Sequence, residues 1–311
     1  MSSTPGQYPR RRARARRLGQ GGAMTTVALL GTGTMGTGMA RRIAGAGHEL
    51  RVWNRSADRA QALADVATVA ADPAEAVRDA EVVVTMLWDA DSVEAVVREA
   101  APGLAAGTLW LQTSTVGVDG ARRLAGLAGE HGLVVVDAPV LGTKQPAAQG
   151  ALVVLAAGPQ EAREPAATIF DAIGSRTVWV GDEPGQASAL KLVVNGWLAV
   201  VTEGVAEALT AARALGLDPR LFLEAVEGGA LDAPYVRLKG GAMLDGAFDP
   251  SFSLAGGAKD AALALDAVTA MGLEPDDVAL LAAAREHLDR AVAEGHGDLD
   301  VAATYLAHRP R

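Results

Sequence analysis

The chain has 311 residues, half of them apolar and 21% charged, which allows a well-buried core and room for two domains. It contains no cysteine, which excludes disulfides, zinc–thiolate sites and thiol nucleophiles and accords with a reducing cytoplasm. A net charge of −9 argues against nucleic acid or a membrane surface as partner, and no uncharged apolar run is long enough to span a bilayer.

Residues 1–23 carry Arg10, Arg11, Arg12, Arg14, Arg16 and Arg17 and no acid. Such an apolar-poor arm cannot bury enough surface to fold alone, so a disordered basic extension is expected before Met24. The arm holds twin arginines, but the apolar stretch behind them is the first strand rather than a removable signal segment.

From Thr26 onward, short apolar runs alternate with helical stretches. Val27–Leu30, Leu50–Trp53, Val82–Met86, Leu109–Gln112, Val134–Ala138, Leu152–Ala157 and Thr177–Val180 read as strands. Met35–Ala46, Ser92–Ala100 and Ala121–His131 read as helices between them. Continuous Val/Leu strands alternating with helices predict a parallel, doubly wound α/β sheet covered on both faces. Between Val134–Ala138 and Leu152–Ala157 a loop is expected in place of a helix, which would turn the second strand antiparallel.

After Pro184 the strand pattern stops. Ala187–Leu215 reads as one long helix whose buried stripe is Leu190, Val194, Trp197 or Leu198, Val201, Val205 and Leu209, ended by Gly216 and Pro219. Further helices are expected near Leu221–Glu227, Ala258–Met271 and Asp276–Glu294. The expected organisation is a dinucleotide-binding domain over 24–184 and an all-α domain over 185–311 that binds substrate and self-associates.

Val27–Leu30 runs into Gly31-Thr-Gly33-Thr34-Met35-Gly36, a Gly-x-Gly-x-x-Gly turn between strand and helix. Gly31 allows the tight turn, Gly33 lets the backbone approach a pyrophosphate, and Gly36 lets helix and strand pack closely. The phosphates are expected on the free N–H groups at Thr34, Met35 and Gly36, where the helix dipole favours anions. The second strand ends in Asn54-Arg55-Ser56, with no carboxylate to bind a ribose 2′-hydroxyl and a cation to meet a 2′-phosphate. The expected cofactor is therefore NADPH, with NADH the poorer substitute.

These glycines and four later blocks resemble the β-hydroxyacid dehydrogenases, the family of 3-hydroxyisobutyrate dehydrogenase and the glyoxylate/succinic semialdehyde reductases. The resemblance covers roughly residues 26–300. Thr85-Met86-Leu87 is similar to the family segment bordering the nicotinamide, and Thr113-Ser114-Thr115-Val116 to its Ser-Ser-Thr stretch, whose threonine lines the cofactor. Asp137-Ala138-Pro139-Val140, with Gly142 and Gly150, resembles the substrate signature. Lys191 and Asn195 follow Gly185 as the family's catalytic pair follows a glycine, and Lys259-Asp260 resembles a C-terminal block whose lysine reaches cofactor or substrate. The resemblance implies a homodimer.

Departures accompany it. Leu141-Gly142-Thr143 stands where the family usually has Ser-Gly-Gly to hold a substrate carboxylate, Trp88 replaces a proline, and Val194 replaces the first of two asparagines. Leu141, Gly142 and Thr143 remain the expected substrate loop, for a substrate bulkier or less anionic than glyoxylate.

The chemistry follows from the residue types. Hydride transfer to a carbonyl leaves charge on oxygen that must be stabilised and protonated. An ammonium at Lys191, set in an otherwise apolar stretch, suits both tasks, and burial beside another cation would bring its pKa toward working pH. Asn195, one helical turn on, would orient it or the substrate oxygen. Ser114 and Thr115 lie just past a strand's C-terminal end, where ligands bind in open α/β sheets; Ser114 is expected to touch substrate. The five histidines show no ligand spacing, so no metal is expected.

Two rival readings are weighed. Imine reductases share the scaffold but commonly carry Asp or Tyr where this chain has Lys191. A non-enzymatic module using the arginine arm on nucleic acid would have to leave Lys191 without a purpose, on an acidic body.

Overall fold

The computed structural model describes residues 24–308. The expected disordered arm over 1–23 lies outside them. The chain runs β1 (Thr26–Leu30), α1 (Thr34–Gly45), β2 (Glu49–Trp53), α2 (Ala57–Gln61), β3 (Thr68–Val69), α3 (Pro73–Val77), β4 (Val82–Thr85) and α4 (Ala90–Ala100). It continues with β5 (Leu109–Gln112), α5 (Gly117–Glu130), β6 (Val134–Asp137), β7 (Val140–Leu141), α6 (Lys144–Gln149), β8 (Leu152–Ala157), α7 (Arg163–Ile173) and β9 (Gly174–Gly181).

Strand order is β3-β2-β1-β4-β5-β6-β8-β7, with β9 parallel on β8. From β3 through β6 the pairing is parallel, and successive residues of each strand face opposite layers. Val27, Leu29, Val84 and Leu111 pack with Met39, Ile43 and Phe170 on one side. Ala28, Leu30, Val83 and Trp110 pack with Val97 and Leu124 on the other. Burial on both faces is why these strands read as unbroken apolar runs. The order reverses between β1 and β4, so the loops after these strands flank the crevice where doubly wound sheets bind ligands.

The antiparallel turn is present: β8 pairs with β6 at Asp137–Ala157 and with β7 at Val140–Val154 and Leu141–Val153. The segment between is not the expected loop, however. It contains α6, ended by Gly150 in the left-handed region and packed against α1 where Ala147 meets Gly38.

The second half holds α8 (Gln186–Ala214), α9 (Arg220–Val226), α10 (Pro234–Asp245), α11 (Leu254–Ala270), α12 (Ala279–Ala291) and a closing 3₁₀ turn, Val301–His308. The only pairing of extended type described here is an isolated bridge between Ser253 and Asp300. Helix α8 ends before Gly216, which takes a φ of +77°. Its buried stripe differs from the expected one. Val205 and Leu209 are buried, but Trp197 is 67% exposed, and the inward face carries Ser188, Lys191, Asn195, Ala199, Thr202, Glu203 and Ala206. Apolar residues occur on every side of the helix, so periodicity alone could not choose a face. The side that turns inward has small residues that fit against Ala258, Ala261 and Ala264 of α11, and polar ones that find partners there. By length and composition α8 could cross a membrane, yet half of its most apolar window is buried in this fold.

Candidate active site

The phosphate loop is tight where the sequence requires it and open where a ligand would enter. Gly31 has a φ of +107°, and a Cβ there would lie 2.3 Å from the Met86 carbonyl. At Gly36 a Cβ would fall 1.9 Å from the Gly31 oxygen, so only glycine lets α1 start this close to β1. At Gly33 a Cβ would meet nothing within 4 Å. Gly33 caps α1 without any side-chain hydrogen bond, leaving the first N–H groups of the helix, at Thr34, Met35 and Gly36, to an external acceptor. Beside them the buried Thr32 hydroxyl has no partner. Open space over glycine, free amides and an orphaned hydroxyl fit a pyrophosphate.

Asn54 braces this loop. Its Oδ1 accepts from Thr32 N at 3.0 Å, and its Nδ2 donates to the Ser56 carbonyl at 3.0 Å. The amide is thus committed to the protein. Arg55 and Ser56 are exposed, and no described carboxylate pairs with Arg55, which leaves a free cation at the end of β2 for a 2′-phosphate.

Met86 and Leu87, expected to border the nicotinamide, follow β4 and are half-buried. Thr113 Oγ1 donates to the Thr85 carbonyl at 2.7 Å and touches Met86 sulfur at 3.4 Å. Ser114, the expected substrate contact, is buried and bonded to its neighbours. It is 0% exposed, its hydroxyl accepts from Leu87 N at 2.9 Å, and its backbone is clamped on both sides by Gln112. The residue positions the β4 loop. Gln112, which sequence reasoning passed over, holds Ser114 in turn; a lone glutamine at a strand end is the faint signal.

Asp137, at the end of β6, fixes the start of α8. Its Oδ2 accepts from Gly185 N and Ser188 N at 2.9 Å each, and its Oδ1 from Ser188 Oγ at 2.7 Å. One turn later the Lys191 ammonium, 8% exposed, donates to the Val140 carbonyl at 2.8 Å. That carbonyl adjoins Leu141, Gly142 and Thr143. Leu141 packs, as Leu190 does, against the cluster of Leu155, Ala157 and Ala187, Gly142 takes a φ of +127°, and Thr143 makes no capping bond to α6. Burial, with Lys259 adding to it and Asp260 opposing, lowers the Lys191 pKa from 10.5 to about 8.

A second strut crosses the cleft from the helical side. Asn195 Nδ2 donates to Asp260 Oδ2 at 2.6 Å, and the other carboxylate oxygen pairs with Lys259 Nζ at 2.7 Å. Lys259 donates to the Thr115 carbonyl at 3.1 Å and lies 5.5 Å from the centre of the Trp88 ring. Two sets of contacts therefore join the halves of the chain: Lys191 with the carbonyl that begins the 140–143 loop, and Asn195, Asp260 and Lys259 with Thr115. Asp260, which in sequence is merely an acid beside a lysine, is the link between Asn195 and Lys259. Elsewhere in the helical domain, the histidines without ligand spacing prove less scattered than they read: His287 and His308 meet Glu203.

Comparison with known proteins agrees with the fold, a nucleotide-binding α/β half followed by a helical half. Residues 26–181 match the NAD-binding domain of 6-phosphogluconate dehydrogenase, and residues 185–307 match the NAD-binding domain of NADP-dependent 3-hydroxyisobutyrate dehydrogenase. Glyoxylate/succinic semialdehyde reductase 1 of Arabidopsis thaliana is 31% identical over 286 residues, 90% of this chain and 97% of the reductase. The structure of Mycobacterium tuberculosis 3-hydroxyisobutyrate dehydrogenase with L-serine superposes with a TM-score of 0.82 at 30% identity, covering 92% of this chain and 100% of that one. A reductive aminase from Aspergillus terreus shares the scaffold less closely, with a TM-score of 0.59 at 25% identity over 92% of this chain and 100% of its own. The chain belongs to the 3-hydroxyisobutyrate dehydrogenase and 6-phosphogluconate dehydrogenase-like family of NADP-binding, hydride-transferring oxidoreductases.

Proposed function

We propose that the protein interconverts a small oxo acid or semialdehyde and its hydroxy form, with Lys191 as the proton donor and acceptor. Bound NADPH supplies the hydride. The carrying observation is a buried ammonium with a pKa of about 8, held at the carbonyl that begins the substrate loop. Val140 occupies one of three N–H bonds of Lys191, leaving others for a substrate oxygen. As charge grows on that oxygen, Lys191 stabilises it and gives up its proton; in the reverse direction the neutral amine takes the proton back. Asn195 and Asp260 fix the helical wall of the cleft, and Lys259 adds positive charge for an anionic substrate or the cofactor ribose.

The relatives act on glyoxylate, succinic semialdehyde or 3-hydroxyisobutyrate, as their names state. Here Leu141 and Trp88 give the pocket more apolar surface, which supports a bulkier member of that class; Gly142 and Thr143 remain to hold its polar end. Arg55 and Ser56 are proposed to hold the 2′-phosphate, and Thr115, Met86 and Leu87 to border the nicotinamide. The outward face of α8, with Val193 and Trp197 two-thirds exposed, supports a homodimer, and the cysteine-free composition a cytoplasmic setting.

The test is NADPH oxidation by purified protein against a panel of oxo acids, aldehydes and cyclic imines, repeated with Lys191→Ala. Turnover of carbonyls that collapses in the variant is expected. Turnover of imines alone would transfer the assignment to the reductive aminases.

A further inference from the structure

Helix α8 carries, besides Lys191 and Asn195, a second buried polar residue set that hydride transfer does not use. Glu203 sits three turns beyond Lys191, about 18 Å along the axis at 1.5 Å per residue. Around it the fold gathers His287 from α12 and His308 from the closing turn, 84 and 105 residues away. Glu203 Oε2 lies 2.7 Å from His308 Nε2 and 3.3 Å from His287 Nδ1, and the two ring nitrogens lie 3.1 Å apart.

Protons cannot turn all three of these contacts into hydrogen bonds. With the carboxylate ionised and a proton on both nitrogens, the nitrogen–nitrogen edge joins two donors. With a proton on one nitrogen, the other nitrogen's lone pair faces the carboxylate oxygen. Every assignment leaves at least one edge between groups of the same kind. A cation at the centre removes the conflict, because all three atoms then point lone pairs at it. The spacing suits this: tetrahedral ligands at 2.0–2.1 Å from zinc stand about 3.3–3.4 Å apart. The 3.3 Å edge already fits, the 3.1 Å edge is short by about 0.2 Å, and the 2.7 Å edge has to open by about 0.6 Å.

We propose that Glu203, His287 and His308 form a divalent-metal site of the zinc class. Two imidazoles select a borderline-soft ion over magnesium or calcium, which take oxygen ligands. Thr304 Oγ1 donates to the second oxygen of Glu203 at 2.5 Å and orients the carboxylate from behind, as ligand-holding residues do at metal sites. The His287 side chain is 23% exposed, which gives the ion a path in and a water as fourth ligand. The site's distance from Lys191 makes it a staple. It ties the closing turn Val301–His308 to α8 and α12, and hydride transfer proceeds without it.

The experiment titrates chelator-treated protein with Zn²⁺ by calorimetry and with Co²⁺ by visible absorption, comparing wild type with His287→Ala and His308→Ala. One equivalent is expected, bound at least tenfold more weakly in either variant. Saturating Zn²⁺ should raise the wild-type Tm by on the order of 5 °C and leave the variants unmoved. Far-UV circular dichroism establishes that each variant folds; should His308→Ala fail, His287→Ala, with its part-exposed ring, decides alone. Failure of wild type to bind Zn²⁺, or equal binding by a folded variant, would overturn the site.

Discussion

Replacing Lys191 by methionine should stabilise the protein while destroying its activity. The native ammonium is buried, and its pKa falls from 10.5 to about 8. At 1.36 kcal/mol per unit, holding that charge in the folded state costs about 3 kcal/mol wherever the lysine is protonated. Methionine fills the same space without charge, but leaves the Val140 carbonyl without its donor, a loss of about 1 kcal/mol. The net gain below pH 8 is about 2 kcal/mol, or roughly 4–8 °C in Tm. Between the folded pKa near 8 and the unfolded value of 10.5 the folded wild type binds fewer protons than the unfolded chain. Wild-type stability therefore rises with pH across that window, and the variant's advantage shrinks and vanishes near pH 10.5. Urea unfolding of both proteins at pH 7, 9 and 10.5 measures this directly. In the reductive direction wild-type kcat/KM should fall above pH about 8, and the variant should lack that limb at a rate lower by 10²–10⁴. A variant no more stable at pH 7, or an advantage independent of pH, would refute the claim that Lys191 is a charge held in the interior at a cost.

The second and third glycines of the phosphate loop should part company. Gly36→Ala forces a Cβ onto the Gly31 oxygen and should lower Tm by several degrees, whereas Gly33→Ala meets open space and should keep the wild-type Tm but weaken NADPH binding at least tenfold by fluorescence titration. Arg55→Asp should cut the NADPH/NADH ratio of kcat/KM by on the order of 10², because a like charge would then face the 2′-phosphate; an unchanged ratio would remove Arg55 from the site. Asp300→Asn should destabilise by about 3–5 kcal/mol in denaturant unfolding, since it strands the buried Lys239 ammonium that Asp300 contacts at 2.7 Å. Burial alone would raise the Asp300 pKa, but Lys239 and the Ala302 amide hold it below the usual carboxylate value. The stability this pair provides is present above the unfolded carboxylate pKa and lost as pH falls through the folded one, so wild-type Tm should drop on acidification more than that of Asp300→Asn.

What was legible in the sequence is what neighbouring residues decide. The strands from β1 to β6 are buried on both faces and read as apolar runs. The Gly31–Gly36 turn is readable because strand, turn and helix are contiguous, and Lys191 with Asn195 because one helical turn separates them. The missed helix α3 carried its signal openly: Asp72 accepts from Glu75 N at 2.7 Å, with Pro73 at the first helical position. Helix α6 is six residues long and contains a proline, too short for periodicity to register. On α8 the pattern pointed to the wrong face, because apolar residues occur on both faces and only the packing partner distinguishes them. Ser114 reads as a substrate contact just past a strand end; that its oxygen is taken by Leu87 N depends on the neighbouring strand. Asp137, Asp260 and the Glu203–His287–His308 group depend on contacts 48 to 105 residues apart, which no local spacing encodes.

Those long-range contacts explain how a lysine on the helical half can serve chemistry at the nucleotide half. A lysine side chain has a flexible four-carbon stem, and ordering it costs about 2 kcal/mol of rotamer entropy unless something holds it. Two struts from the sheet end in the helical half. Asp137 fixes the origin of α8, so the Cα of Lys191 is set by the last residue of β6 rather than by a loop. The Thr115–Lys259–Asp260–Asn195 series fixes the same helix one turn further on, from the strand next to β6. With both ends of that turn tied to adjacent strands, the ammonium has little freedom except toward the 140–143 loop. The substrate loop is itself the continuation of β6. On the proposed assignment, the proton donor, the substrate loop and the Thr115 edge of the cofactor site are thereby referenced to one pair of strands, so a change of substrate preference through Leu141 or Thr143 should leave the proton-transfer geometry in place.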